Sequence, residues 1–144
     1  MNRSFKSFLT PAQVEPYQRG VMGYTYRGVP CLKSPIDIAI YLRLLHDSGC
    51  KSLIEIGSKF GGSALMFRDF ARSICGPDTG IVSIDLQKPD LDVEGVRFFQ
   101  GDVHNLSAVF DANDLWSLPR PWLVIEDSAH TAAACRAALE LAPS

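Results

Sequence analysis

Residues Glu55-Ile56-Gly57-Ser58-Lys59-Phe60-Gly61-Gly62-Ser63 combine an acid, a run of glycines and small polar residues in one short stretch. Glycines at a strand-to-helix turn let a ligand approach the backbone, and the helix start that follows offers unsatisfied N–H groups. Lys59 stands where the dinucleotide-binding fingerprint has its second glycine, and the Gly-Lys-Ser/Thr ending of a phosphate loop is missing. The acid two positions before the first glycine can accept hydrogen bonds from an ammonium group, which suits a ligand bearing an amino acid better than a pyrophosphate. The same stretch taken alone is equally a tight turn with no ligand.

Two further acids follow at regular places. Asp85 ends the run Ile81-Val82-Ser83-Ile84, where a carboxylate can take the two hydroxyls of a ribose. Asp102 follows Gln100-Gly101, where it can accept from an adenine amino group while Gly101 lets a ring come close. Each is also an ordinary helix cap, turn or solvated charge. The succession of glycine loop, acid and acid points to an adenosine ligand carrying a terminal amino acid, S-adenosylmethionine. A fourth cluster, Glu126-Asp127-Ser128-Ala129-His130, could bind a hard cation such as Mg²⁺ through its carboxylates or use His130 as a base. Strand alternation sends Glu126 and Asp127 to opposite faces unless the strand has already ended there. Asp127 or Ser128 could instead cap the next helix. His46, His104, Lys33 and Lys59 carry weaker signals.

These clusters need elements that bring them together. Ser52–Ile56, Ile81–Ile84, Val96–Phe99 and Trp122–Ile125 read as short buried strands. Helical period runs from Ser63 to Cys75, with Phe67, Phe70, Ala71 and Ile74 on one side and Arg68, Asp69, Arg72 and Ser73 on the other. An alanine-rich helix is expected from Thr131 to Ala142. Ser34-Pro35-Ile36-Asp37 reads as a capped helix start and Gly49 as its stop, and Ile36 to Leu45 is apolar on most sides, so this helix is expected to be well buried. Alternating strands and helices make an α/β fold, a parallel sheet with helices on both faces. Ligands then bind outside the carboxyl ends of the strands, where every cluster above lies. Residues 1–30, punctuated by Pro11, Pro16, Gly20, Gly23, Gly28 and Pro30, read as an irregular segment suited to a lid or a homo-oligomer contact. Residues 31–144 form the binding domain.

Composition limits what else the chain can be. With 144 residues, 47% hydrophobic and 21% charged, it is one ordinary globular domain. A net charge of −2 offers no electrostatic footprint for nucleic acid. The N-terminus lacks the apolar run of about 7 to 15 residues of a secretory signal, and no window approaches the ~18 apolar residues of a membrane span. A cytoplasmic protein without membrane contact is the expectation. Cys31, Cys50, Cys75 and Cys135 have no metal-site spacing and read as small apolar residues.

Three stretches together resemble the cephalosporin hydroxylase family, which includes similar rhamnosyl O-methyltransferases. They are Tyr26-Arg27-Gly28-Val29-Pro30-Cys31-Leu32-Lys33-Ser34-Pro35-Ile36-Asp37, Ile54 to Ala64 with its glycine loop, and Pro121-Trp122-Leu123-Val124-Ile125-Glu126-Asp127-Ser128-Ala129-His130. The resemblance implies the Rossmann-like fold of class I S-adenosylmethionine-dependent methyltransferases. It implies that Glu55, Gly57, Ser58 and Gly61 hold the methionine end, Asp85 the ribose and Asp102 the adenine, with Asp127 as a metal ligand. Further acidic ligands in that family come from a next strand, which would lie beyond Ser144, so the fold is expected to be incomplete in its C-terminal half. The expected reaction is O-methylation of a small-molecule or sugar hydroxyl, with His130 as base and Asp127 beside it. The rival readings are a remnant that only binds the nucleoside and an NAD-dependent oxidoreductase, the latter disfavoured by Lys59.

Overall fold

The computed structural model describes residues 9–141. Six strands and five α-helices are found there. The strands are β1 (Thr25–Tyr26), β2 (Val29–Pro30), β3 (Ser52–Ile56), β4 (Gly80–Asp85), β5 (Val96–Gln100) and β6 (Trp122–Glu126). The helices are α1 (Pro11–Gly23), α2 (Pro35–Ser48), α3 (Gly62–Ile74), α4 (Leu106–Ala112) and α5 (Ala132–Leu139). Strands β3 to β6 form one parallel sheet in the order β5-β4-β3-β6. The four strands expected from the sequence are these four. Ala142, expected within the last helix, lies outside the described residues.

Alternation along each strand divides the core in two. Ile54 and Ile56 of β3, with Val82 and Ile84 of β4, pack against Leu106 and Phe110 of α4 and Ala134 and Ala138 of α5. Leu53, Ile81 and Ile125 face the other way, onto Met66, Phe67 and Ala71 of α3 and Leu45 of α2. Both faces are therefore covered, as a parallel sheet requires. β3 lies inside the sheet and is buried at all five positions.

Two expectations are corrected. Residues 1–30 are not irregular throughout, because 11–23 form α1. Pro11 occupies the first helical turn, where no donor is needed, and the Gln13 side chain accepts from the Thr10 N–H at 2.9 Å. Pro16 and Gly20 read as breakers but lie inside the helix. α1 buries none of its residues. The second correction concerns α2. Ser34 and Asp37 form the expected reciprocal cap and Gly49 is left-handed at φ 52°, yet only Leu45 is fully buried. α2 packs one stripe, Ile38, Tyr41 and Leu45, onto the sheet's α3 side. Ile36, Ile40 and Leu44 on its other side stay exposed.

The β1–β2 hairpin turns through Arg27 (φ 50°) and Gly28 (φ 82°), the two positive φ values that a two-residue hairpin turn needs. It is fastened to α3 through Asp69, which accepts from the Tyr26 hydroxyl and pairs with Arg27, both at 2.9 Å. Arg68, Asp69 and Arg72, on the side of α3 opposite its apolar face, are thus half-buried beneath the hairpin and the β4–β5 loop. At Gly62 a Cβ would collide with the Pro30 carbonyl. The Gly62→Ala variant should therefore push the hairpin off α3 and lose about 2 kcal/mol or more of stability. Urea denaturation measures this, and an unchanged midpoint would refute the packing.

Candidate functional site

Every cluster singled out above reaches the carboxyl ends of the sheet strands. A cavity of about 580 Å³ opens there, within the range of small-ligand sites. Gly57, Ser58, Asp85, Asp102, Asp127 and His130 line it. Glu55 and Gly61 do not. Glu55 is fully buried behind the wall, and Gly61 is buried at the α3 cap. The ladder continues past the strand ends, with Gly57 N–H donating to Ile84, Asp127 N–H to Ile56 and Gly101 N–H to Asp85, each at 2.8 Å. The strand tips are thereby locked to one another before any ligand arrives.

The glycines make room for protein. A Cβ on Gly57 would lie 2.7 Å from the Ser128 Cα, and Gly57 has φ 95°. A Cβ on Gly61 would meet Leu91 and Phe98, and one on Gly101 would meet Val109 and Ile84. Gly101 also lines the cavity, as expected, and its lack of a side chain serves the packing of α4 against β4 as well. Gly57 remains part of the cavity wall, because the β6 tip crosses directly over it.

The acids are held by backbone donors. Asp85 accepts from the N–H of Lys59 at 2.7 Å and of Gln87 at 3.2 Å, which fixes the glycine loop to the β4 tip. Asp102 accepts from the His104 N–H at 2.9 Å and starts the short 3-10 turn Val103–Asn105. These are the local roles that the sequence left open for both residues, and both carboxylates nonetheless face the cavity. Glu126 is the last residue of β6 and Asp127 lies just past it, and the two side chains take different partners. Glu126 turns to Ser128 and to the Cys135 thiol. Burial would raise its pKa, but the Ser128 hydroxyl and N–H hold it below the usual value.

Lys33 is the participant to which the sequence assigned no role. Its ammonium bonds Asp127 Oδ2 although its side chain is only 4% exposed. Burial would lower its pKa, but the charges of Glu55 and Asp127 hold it above the ordinary lysine value. Burial likewise pushes the Glu55 carboxyl up to about 7, against the pull of Lys33, Ser63 and Ser83. Glu55 accepts from the Ser83 hydroxyl at 3.2 Å through one oxygen, while its Oε1 and the buried Ser58 Oγ have no partner. Two orphaned buried acceptors beside a cavity fit a ligand that brings donors. The only trace of Lys33 in the sequence was its place in the Gly-Val-Pro-x-Leu-Lys stretch.

His130 is exposed, in a left-handed turn with φ 52°, and its Nδ1 lies 3.7 Å from Asp127 Oδ1. That is beyond a hydrogen bond but close enough for the carboxylate to orient the ring. His104, Lys59, Val21 and Met22 also line the cavity. Among the described residues no group of three His, Cys, Asp or Glu side chains is placed to hold a metal. Asp127, already paired with Lys33, does not by itself make the near-octahedral oxygen site that Mg²⁺ requires. Cys31 and Cys50 are buried, as expected of small apolar residues, whereas Cys135 is exposed. Among the described residues no helix is long and apolar enough to cross a membrane.

Residues 18–143 match the family described as Rhamnosyl O-methyltransferase/CmcI. The Rhamnosyl O-methyltransferase of Mycobacterium leprae is 40% identical over 68 residues, 47% of this chain and 29% of that protein. The protein of the same name from Mycobacterium tuberculosis is 34% identical over 73 residues, 51% of this chain and 29% of that protein. Among solved structures, a CmcI apo-structure superimposes with a TM-score of 0.64 at 29% identity, covering 77% of this chain and 48% of that one. A CmcI structure with Mg-SAM gives 0.63 at the same identity and coverage. The chain thus spans about three-tenths of these curated relatives and about half of CmcI.

The raised Glu55 pKa has a consequence for stability. A carboxyl shifted from 4.5 to about 7 favours the fold in its neutral form. That contribution is complete below about 4.5 and is lost as pH rises through about 7. Unfolding free energy should fall across this window by on the order of 3 kcal/mol, and Glu55→Gln should flatten the fall. Urea titrations from acid to mildly alkaline pH measure both. Parallel curves for the two proteins would show that Glu55 titrates normally.

Proposed function

The chain belongs to the Rhamnosyl O-methyltransferase/CmcI family, and on that premise we propose that it is the nucleoside-binding part of an S-adenosylmethionine-dependent O-methyltransferase acting on a small-molecule or sugar hydroxyl. The observation that carries the reading is the cavity itself. Gly57, Ser58, Asp85 and Asp102 converge on it from three successive strand tips, Ser58 Oγ among them buried without a partner, and Glu55, one of whose oxygens also lacks a partner, lies on the strand that leads into the glycine loop. S-adenosylmethionine, when bound, supplies an electrophilic methyl group on a sulfonium.

The chain's own groups divide the work. Ser58 and the Glu55 carboxylate suit the amino-acid end, a charged acceptor for an ammonium. Asp85 suits the ribose hydroxyls, and Asp102 the adenine amino group. His130, with Asp127 beside it, is the base that accepts the proton of the acceptor hydroxyl. Holding that oxygen in line with the methyl is where most of the rate would come from. No step is routed through Mg²⁺, since the described residues do not compose its site. The cytoplasmic location, homo-oligomer contact and absence of nucleic acid expected from the sequence remain part of this reading.

Calorimetry should show S-adenosylmethionine and S-adenosylhomocysteine binding while NAD gives no heat. Tight NAD binding would sink the proposal. Asp85→Ala should weaken S-adenosylhomocysteine binding at least about tenfold, roughly 1.4 kcal/mol. An ammonium meeting Glu55 must take it in its ionised form, so binding below pH 7 should release a proton. Repeating the titration in buffers of different ionisation enthalpy reads that proton, and its persistence in Glu55→Gln would remove Glu55 from the site.

A further inference from the structure

Lys33 leaves β2 on the short link to α2, and its backbone N–H is engaged by the Cys31 carbonyl at 2.8 Å. The side chain is thereby turned inward, with its Nζ 5.9 Å from the centre of the Tyr41 ring, and it ends on Asp127 at the cavity wall. A buried ammonium needs a counter-charge, and breaking such a pair strands the other member. Asp127 is the carboxylate of the β6 tip that faces the cavity, because Glu126 is committed to Ser128 and Cys135. An ammonium and a divalent ion would compete for it. The ion would also need several further oxygen ligands, which the described residues do not gather around Asp127.

We infer that Lys33 is the resident cation of the β6 tip: its ammonium fixes Asp127 in place, occupies Oδ2 and competes with a divalent ion for that carboxylate. Any such ion must displace Lys33 from Oδ2 or make do with Oδ1, which lies 3.7 Å from the His130 ring. Lys33 is thus a positioning residue for Asp127. The pairing does not depend on the reaction, but its catalytic meaning rests on the methyltransferase reading. Where that reading holds, the positive charge beside the acceptor oxygen is that of a side chain.

Electron paramagnetic resonance with Mn²⁺ as the probe tests this on the whole chain. The wild-type protein should leave the free-ion signal undiminished, and Asp127→Asn should change nothing. Lys33→Met, which frees Asp127 and Glu55 together, should bind Mn²⁺ at least about tenfold more tightly than wild type. Adding Asp127→Asn should remove the gain, and Lys33→Arg, which keeps the charge, should exclude the ion again. Wild-type uptake of Mn²⁺ that Asp127→Asn abolishes would overturn the inference, and this comparison needs no Lys33 variant to fold. Calorimetry with S-adenosylhomocysteine on the wild type reads the other assignment separately. Binding of the nucleoside together with Asp127-dependent Mn²⁺ uptake overturns the Lys33 inference alone. Silence toward the nucleoside together with the Asp127-dependent Mn²⁺ gain in Lys33→Met supports Lys33 and overturns the methyltransferase reading alone, whereas no gain in a folded Lys33→Met overturns the Lys33 inference.

Discussion

Three ionisable groups, the buried Lys33 ammonium, its partly exposed partner Asp127 and the buried Glu55 carboxyl, set the constraint around which this end of the molecule is built. Lys33 could not be buried alone, because desolvating an isolated ion costs far more than a fold of this size has to spare. The three groups come from three separate pieces of chain, the middle strand β3, the link before α2 and the tip of β6. The ion pair joins residues 94 positions apart. The link after the hairpin, β3 and β6 must all be in place for these groups to meet, so the pairing ties the three pieces together. Gly57 takes part by lacking a side chain. The β6 tip can cross it closely enough to bring Asp127 over the end of β3.

The charge trio also explains what could and could not be read from residue order. The four strands were legible because each is a short apolar run between turn residues, and a strand with both faces covered leaves that local trace. The caps of α2 were legible because Ser34, Pro35, Asp37 and Gly49 act within one turn of their own positions. The burial of α2 was not, since apolar composition does not say how many neighbours a helix will find. Ile38, Tyr41 and Leu45 found one, while Ile36, Ile40 and Leu44 did not. α1 was hidden for a different reason. Proline and glycine outweighed a helical pattern that has no buried stripe to strengthen it.

In the site, the acids and the glycine turn were legible as types at strand ends, but their reasons were only half visible. The glycines read as openings for a ligand. In the fold they relieve contacts with Asp127, Ser128, Leu91, Phe98 and Val109. Asp85 and Asp102 read as ligand groups or local caps; Asp102 caps a short 3-10 turn, Asp85 ties the glycine loop to the β4 tip, and both line the cavity. The two roles reinforce each other. A carboxylate already held by backbone N–H groups is oriented before a ligand arrives, and less ordering is left for binding to overcome. Lys33 carried no such local sign, because its partner lies on a distant strand and an isolated lysine looks like any solvated one.

The cavity is consequently held unequally on its two sides. One side consists of strand tips joined by ladder hydrogen bonds and, at Asp127, by a buried ion pair. The other includes Val21 and Met22 of α1, a helix that buries none of its residues, with the Met22 side chain largely exposed. Local stability follows buried apolar contact, so this wall is the more weakly held of the two. A group that every member of such a family must bind gains from the rigid side, where geometry is set by the sheet. A group that differs between members needs a wall that can change without disturbing the core. Substitutions at Val21 and Met22 touch neither core cluster. The fold therefore separates residues that can vary without disturbing the core from those that the sheet cannot spare.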